Sequence, residues 1–223
     1  MQQKAHQDIT RDEIKKEFQL ERMILFSDAV FAIVITLMAM EIKMPETDSK
    51  ITVEMMPAII RHLMPVVFAY MVSFMFIGVI WYQHLKIFSL LKDYDKGLVI
   101  RNLLLLFFVG LFPFSASVIT KAHGTTIAFF IYIAIILSCV ATQFVLHHYI
   151  LVKRPELRLN ADIKTHLEEL RKRKISLLGF TIATVLITIT YILIPGPELK
   201  PLSTLWMVAF PIVYKFLTRK KAA

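Results

Sequence analysis

The chain has 223 residues, 57% of them hydrophobic, and a mean hydropathy of +0.62. Soluble domains of this size rarely reach that value, so long apolar stretches with few charges define an integral membrane protein. The net charge of +9 is spread over loops rather than gathered on one soluble face, which excludes nucleic acid as the partner and leaves topology as its meaning. Cys139 is the sole cysteine and sits in an apolar run, so neither a disulfide framework nor a thiolate metal cluster is expected.

Residues 1–21 alternate acidic and basic side chains, as a solvated helix or frayed arm does. They contain no short apolar core with a small-residue cleavage site, so no signal peptide is read there. The first predicted span covers about residues 22–42 and is stopped by Met44-Pro45, because proline disfavours helical geometry in the residue before it. The second covers about 57–82, with Pro57 at its start and Trp81 and His84 at its far end. The third covers about 98–119 and should kink at Pro113, which lacks a backbone donor. A short turn leads to a fourth span over 125–152. Residues 153–174 are the most charged part of the chain; Leu157, Ile163, Leu167 and Leu170 recur at roughly helical spacing, which predicts an amphipathic linker helix. A fifth span covers 175–194, a Pro-rich hairpin follows, and a sixth covers 202–218 before the basic tail 219–223.

Six spans put both termini on one side. Segments on that side carry 21 of the 26 Lys and Arg residues, which predicts a cytoplasmic location for both ends. No repeat of 20–50 residues is apparent.

The first span holds the least expected residue. An Asp at a membrane helix centre costs roughly 2.5 to 3.5 kcal/mol on insertion scales, less nearer the end, so Asp28 needs a reason to be there. At about 100° per residue, Arg22, Phe26, Ile33, Thr36, Leu37 and Met40 share one stripe, and Asp28 lies about 140° from Ile33. The stripe can be a pore wall or a helix–helix seam, and apolar stripes in membrane helices ordinarily pack. Asp28 is six residues from Arg22 and shares no face with it, so its partners must come from other helices or water. Trp81 and His84, and Arg101 and Asn102, lie at the same depth and offer donors. Such a group either holds the bundle together or relays protons.

Other chemistry is not supported by the residue pattern. His147 and His148 are adjacent and do not share a helix face, and there is no H-E-x-x-H, so no metal site is expected. Six glycines and no Gly-rich loop argue against a nucleotide site. No paired carboxylate or nucleophile constellation points to an enzyme, and no cofactor is expected. No segment resembles TVGYG, so a cation pathway here must select by side chains rather than by a re-entrant carbonyl filter.

The pattern Arg22-x-x-x-Phe26-Ser27-Asp28-x-x-x-Ala32-Ile33-x-x-Thr36-Leu37, with Trp81, His84, Asn102 and Pro113-Phe114 further on, resembles the transmembrane protein 175 family of potassium channels in its bacterial single-repeat form. The resemblance covers roughly residues 20–120. It implies an all-α membrane protein of six transmembrane helices per subunit, assembled as a homotetramer around a central pore lined by the first helix. Its setting would be the bacterial inner membrane, with membrane lipid and potassium ions as its other partners. Carried over, Ile33, Leu37 and Met40 form the constriction, with Thr36 beside them as a hydroxyl lining. Relatives often have Leu where this chain has Met40, a longer and more flexible side chain. Arg22, Phe26, Ser27, Asp28, Trp81, His84 and Asn102 become the network that fixes the first helix. The alternative is a proton pathway or secondary cation transporter in which Asp28 and His84 are the carriers. It lacks the internal repeats and Gly-interrupted helix pairs common in transporters.

Overall fold

No proline or glycine interrupts residues 2–43, so nothing in the sequence separates the polar arm from the first apolar span. In the computed structural model the two are one helix, α1 (Gln2–Ala39). The structure describes residues 2–40, 42–44, 52–122, 125–159 and 163–194. Near its end α1 tightens: Met40 N–H bonds to Leu37 O at 3.1 Å and Ile42 N–H to Ala39 O at 3.2 Å. Pro45 lies outside the described residues, as do the Pro-rich hairpin, the sixth predicted span with Trp206 and Pro211, and the basic tail.

Helix α2 (Met56–Phe88) opens with Pro57 in its first turn, where a missing N–H costs nothing. It runs six residues past the predicted end, since no helix breaker stands between Tyr82 and Phe88. The third span is split. Helix α3 (Lys96–Gly110) stops at Leu111, and α4 (Phe112–Lys121) restarts with Pro113 in its first turn. Pro113 cannot donate to the carbonyl of Val109 one turn earlier, and Gly110 gives the helix its weakest point there. Leu111 N–H is shared between Phe107 O and Phe108 O, both at 3.2 Å. Helix α5 (Thr126–His148) ends in a single π-turn (Tyr149–Lys153), closed by Arg154 N–H to Tyr149 O at 2.9 Å.

The charged linker differs from expectation. Pro155–Leu157 is a 3₁₀ turn, and residues from 163 onward belong to α6 (Ile163–Leu193), which merges the second half of the linker with the fifth span. The charged and apolar halves meet at Lys174-Ile175 with no Pro or Gly between them. Within α6, Thr181, Thr184, Thr188 and Thr190 each donate to the carbonyl four residues back at 2.7–2.9 Å, so their hydroxyls are satisfied locally. Residues 1–161 and 162–223 form separate compact units, and α6 belongs to the second.

Within the first unit, α3 and α4 pack along α5, and α1 packs on α2, α3 and α4. Phe31, Ile77, Leu98, Leu105, Phe112, Ile133, Leu146 and Ile150 are buried between these helices. Phe112 stacks on Phe76 and meets Tyr132 edge-on, with centroids 5.2 and 5.6 Å apart. The Tyr132 hydroxyl is 3.0 Å from Ser73 Oγ, so its polar end is also satisfied. Five described stretches are long and apolar enough to cross a membrane: Ile14–Ala39, Val66–Phe88, Lys96–Val118, Thr126–Lys153 and His166–Thr190. The protein is therefore a multi-pass membrane protein.

At one rim of this unit the α2–α3 loop is clasped to the segment after α5. Lys92 N–H donates to Leu157 O at 2.9 Å and Leu159 N–H to Leu90 O at 2.8 Å, a short antiparallel bridge. Asp95 caps α3, accepting from Leu98 N–H at 2.7 Å on one oxygen. Its other oxygen takes the Tyr149 hydroxyl at 2.7 Å and the Arg154 guanidinium at 3.1 Å. Gly97 is required for this approach, because a Cβ there would stand 2.8 Å from the Tyr149 ring carbon Cζ. Partial burial pushes the Asp95 carboxyl up. The Tyr149 hydroxyl, the Leu98 amide and the Arg154 and Arg101 charges outweigh it and hold the group below the usual carboxylate range.

A carboxyl with a depressed folded pKa stabilises the fold above its unfolded value, and that contribution disappears as pH falls through the folded value. Exchange protection of the Leu98 amide, corrected for intrinsic rates, should therefore hold from neutral pH down to about pH 4 and fall below it. In Tyr149→Phe the folded value is less depressed, so the midpoint of the loss should lie at higher pH. Identical profiles for the two proteins would show that the tyrosine does not support the cap.

Candidate functional site

Helix α1 has two unlike faces. Leu20, Ser27, Phe31, Val34 and Met38 recur every three to seven residues and are all buried against the neighbouring helices. On the wheel they fall within about 60° of one another. The stripe of Phe26, Ile33, Leu37 and Met40 is centred about 120° round the helix from them, with Ile33 56% and Leu37 45% exposed in the single chain. Arg22 and Thr36 lie on the same exposed side. Apolar side chains that no described helix of their own unit covers face lipid, another part of the assembly or a pore.

The buried face carries a chain of hydrogen bonds whose direction can be read from its end. Ser27 Oγ donates to Met23 O at 2.8 Å, so the hydroxyl proton is used within α1. Its oxygen then accepts from Asn102 Nδ2 at 2.8 Å. Asn102 Oδ1 is left to accept, and His84 Nε2 lies 2.9 Å from it. Nε2 therefore bears the proton and Nδ1 is left without a hydrogen-bond partner in a buried place. The imidazole is clamped between rings, stacked on Phe88 at 3.9 Å and tilted against Phe31 at 5.5 Å. One residue each from α1, α2 and α3 thus meets in a fully buried polar knot: Ser27, His84 and Asn102.

Asp28 has its own partner. The Trp81 indole N–H donates to Asp28 Oδ1 at 2.9 Å, which ties α1 to α2 one turn from His84. Of the donors offered for Asp28 from the sequence, Trp81 supplies the direct hydrogen bond. Arg101, one of the other three, turns elsewhere: it sits about 100° round α3 from Asn102, and its guanidinium lies over the Tyr149 ring at 3.9 Å. The structure also leaves two of the seven residues read as a network out of these bonds. Phe26 is exposed on the stripe, and Arg22 reaches back over Phe18 at 5.9 Å. Phe26 lies about 100° and Arg22 about 140° from Ser27 on the helix, both turned toward the exposed stripe.

Gln143 was not singled out from the sequence. It is buried in α5 and donates from Nε2 to Ile80 O at 2.8 Å, a further tie between α5 and α2. The available signal was its position as an amide inside an otherwise apolar span, where a polar group must find a partner. Thr36 is also informative. Its hydroxyl donates to Ile33 O at 2.8 Å, so on the exposed face its oxygen presents lone pairs. No group of three or more His, Cys, Asp or Glu side chains comes together among the described residues.

The family model described as "Endosomal/lysosomal potassium channel TMEM175" matches residues 22–113, the segment that contains both the exposed stripe and the buried knot. A potassium channel of Chryseobacterium sp. (strain P1-3) is 34% identical over 102 residues, covering 46% of this chain and 50% of that protein. A potassium channel of Streptomyces collinus is 36% identical over 104 residues, covering 45% and 47%. The matched region thus spans about half the length of these relatives. Among solved structures, a lysosomal potassium-selective channel TMEM175 homologue from Chamaesiphon minutus aligns with a TM-score of 0.58, covering 92% of this chain and 100% of that one. Identity there is 23%, so that likeness concerns the fold.

Proposed function

We infer, from residues 22–113 being a segment of the transmembrane protein 175 family, that this chain is a potassium-permeable cation channel rather than an enzyme. The observation that carries the reading is the split character of α1. Its polar and large apolar groups on one side are bonded and buried, while Ile33, Leu37 and Met40 on the other are exposed, with no described helix of their unit over them.

Four copies of α1 around an axis would cover that stripe and make a narrow apolar neck. Ile33, Leu37 and Met40 form its layers, and such a neck gates by dewetting. Thr36 contributes the polar element. With its proton committed to Ile33 O, its oxygen can replace part of a cation's water shell. One ring of hydroxyls offers fewer ligands than stacked carbonyl rings, so selectivity for potassium over sodium is moderate. In this reading the subunit has six membrane helices, both termini are cytoplasmic and the assembly sits in the bacterial inner membrane. Ser27, Asp28, Trp81, His84 and Asn102 serve as the anchor that sets the rotation of α1, with Arg22 and Phe26 at the pore mouth.

The decisive experiment is potassium flux from liposomes containing the purified chain, with sodium and proton gradients as separate arms. Flux that follows the potassium gradient alone supports the channel; an obligatory coupled ion would replace it with a transporter. Crosslinking in detergent should reveal a tetramer. Thr36→Ala should lower the potassium-to-sodium permeability ratio about fivefold, the equivalent of ~1 kcal/mol lost from one polar contact. An unchanged ratio would take Thr36 out of the selectivity step.

A further inference from the structure

We propose that the rim where α3 begins and α5 ends binds the phosphate of an anionic phospholipid, with Arg101 as its seat and Lys96 and Lys153 beside it. This rests on the membrane reading of these helices and is independent of ion conduction.

Depth is the first argument. Arg101 is five residues inside the span that starts at Lys96, about 7.5 Å along the helix. That is the level at which lipid headgroups meet acyl chains, where a permanent cation needs a partner. Arg101 is half-buried, and its guanidinium is held flat on the Tyr149 ring with one donor, Nη1, bonded to Gly97 O at 2.9 Å. A guanidinium has five N–H donors, so most of the fork remains for a phosphate. The stacking fixes its plane before a ligand arrives, which lowers the entropy cost of binding.

Asp95 feels the Arg101 charge but makes no ion pair with it. Asp95 has one oxygen on the Leu98 amide and the other shared by the Tyr149 hydroxyl and Arg154. Glu156 takes Arg154 Nε at 3.0 Å. Arg154 is thus answered on two sides, whereas Arg101, Lys96 and Lys153 make no ion pair among the described residues. Lys96, at the start of α3, and Lys153, at the end of the π-turn after α5, are both exposed. Three cations at one membrane boundary, none of them ion-paired among the described residues, are complementary to an anionic headgroup.

The source of the phosphate follows from what lies below. Leu104 and Phe107 continue along α3 from Arg101, Ile100 stands just before it, and all three are exposed. A free phosphate has no use for that strip, whereas an acyl chain would cover it while its headgroup rests on Arg101.

The test is lipid retention by the full-length protein in neutral detergent, counted by native mass spectrometry during titration with phosphatidylglycerol or with phosphatidylcholine of the same acyl chains. The wild type should retain phosphatidylglycerol at a concentration at least about tenfold lower than phosphatidylcholine. Arg101→Gln, and separately the pair Lys96→Gln with Lys153→Gln, should each weaken phosphatidylglycerol retention about fivefold or more and leave phosphatidylcholine unchanged. The lysine pair is exposed, so its effect can be read even if Arg101→Gln disturbs the Tyr149 stack. Equal retention of the two lipids by the wild type, or undiminished phosphatidylglycerol retention in the lysine pair, overturns the site. Displacement of phosphatidylglycerol by inorganic phosphate at equal concentration overturns the lipid assignment. None of these readouts involves flux, so failure here leaves the channel reading untouched.

Discussion

Replacing Ile33 and Leu37 together by alanine is expected to raise potassium flux from liposomes at least about tenfold, which requires only ~1.4 kcal/mol off the barrier for an ion to cross the neck. Each substitution removes a branched apolar tip. If four copies of α1 meet at an axis, four tips leave each layer at once. The neck widens, water enters more often, and the cation sheds less of its hydration shell. The side chains are 56% and 45% exposed in the single chain, so their loss should cost the subunit little packing.

The opposite face supplies the control. Val34 and Met38 are 3% and 2% exposed, on the same helix and at the same depth. Truncating Met38 to alanine should cost about 2–5 kcal/mol of stability and should not raise flux per assembled channel. The pair of experiments separates a pore wall from a lipid-facing or purely structural stripe. Flux unchanged by Ile33→Ala with Leu37→Ala, in protein that still assembles, would remove α1 from the conduction path. Flux raised equally by Met38→Ala would show that loosened packing, and not a widened neck, was responsible.

What the sequence reveals about this helix divides along the same line. Helical periodicity places Ile33, Leu37 and Met40 on one stripe and Asp28 away from it, and the structure has the stripe uncovered and Asp28 on Trp81. Periodicity does not say whether a stripe is covered. That depends on how neighbouring helices are arranged, which is a property of the fold. The same limit explains Arg101 and Asn102. Both lie at the depth of Asp28, but adjacent residues on a helix point about 100° apart, so at most one can face α1. Which one does depends on the packing of α3 on α5, and only then is Arg101 seen against Tyr149. Breakers were more legible than joins. Pro57 and Pro113 mark the start of α2 and the break before α4, whereas the merging of 163–174 with the following span leaves no local signal, since a charged helix and an apolar one have the same backbone.

The second large effect is expected at Asn102, where alanine should destabilise the protein by about 2–4 kcal/mol. Two interhelical hydrogen bonds are lost together, and two buried groups are stranded: the His84 Nε2 proton and a lone pair of Ser27 Oγ. Single interhelical hydrogen bonds within membranes average only about 0.6 kcal/mol, because the separated helices find other partners. The larger figure here comes from the stranding. The ring of His84 is clamped by Phe88 and Phe31 and cannot easily turn toward a substitute acceptor. Ser27→Ala should cost less, about 1 kcal/mol, since Asn102 would then lack one acceptor while His84 keeps its own. If the three residues act as one chain, the double variant Ser27→Ala with Asn102→Ala should be little worse than Asn102→Ala alone. Reversible unfolding in detergent, followed by tryptophan fluorescence, measures all three, and Trp81 reports from beside the knot. A cost for Asn102→Ala within 0.5 kcal/mol of wild type would mean that the knot does not fix α1, and the rotation of the stripe would then need another cause. A full cost accompanied by lowered flux from the folded fraction is the result expected of an anchor. A helix free to turn by one residue's rotation would bring Phe31 or Val34 toward the axis in place of Ile33 and Leu37.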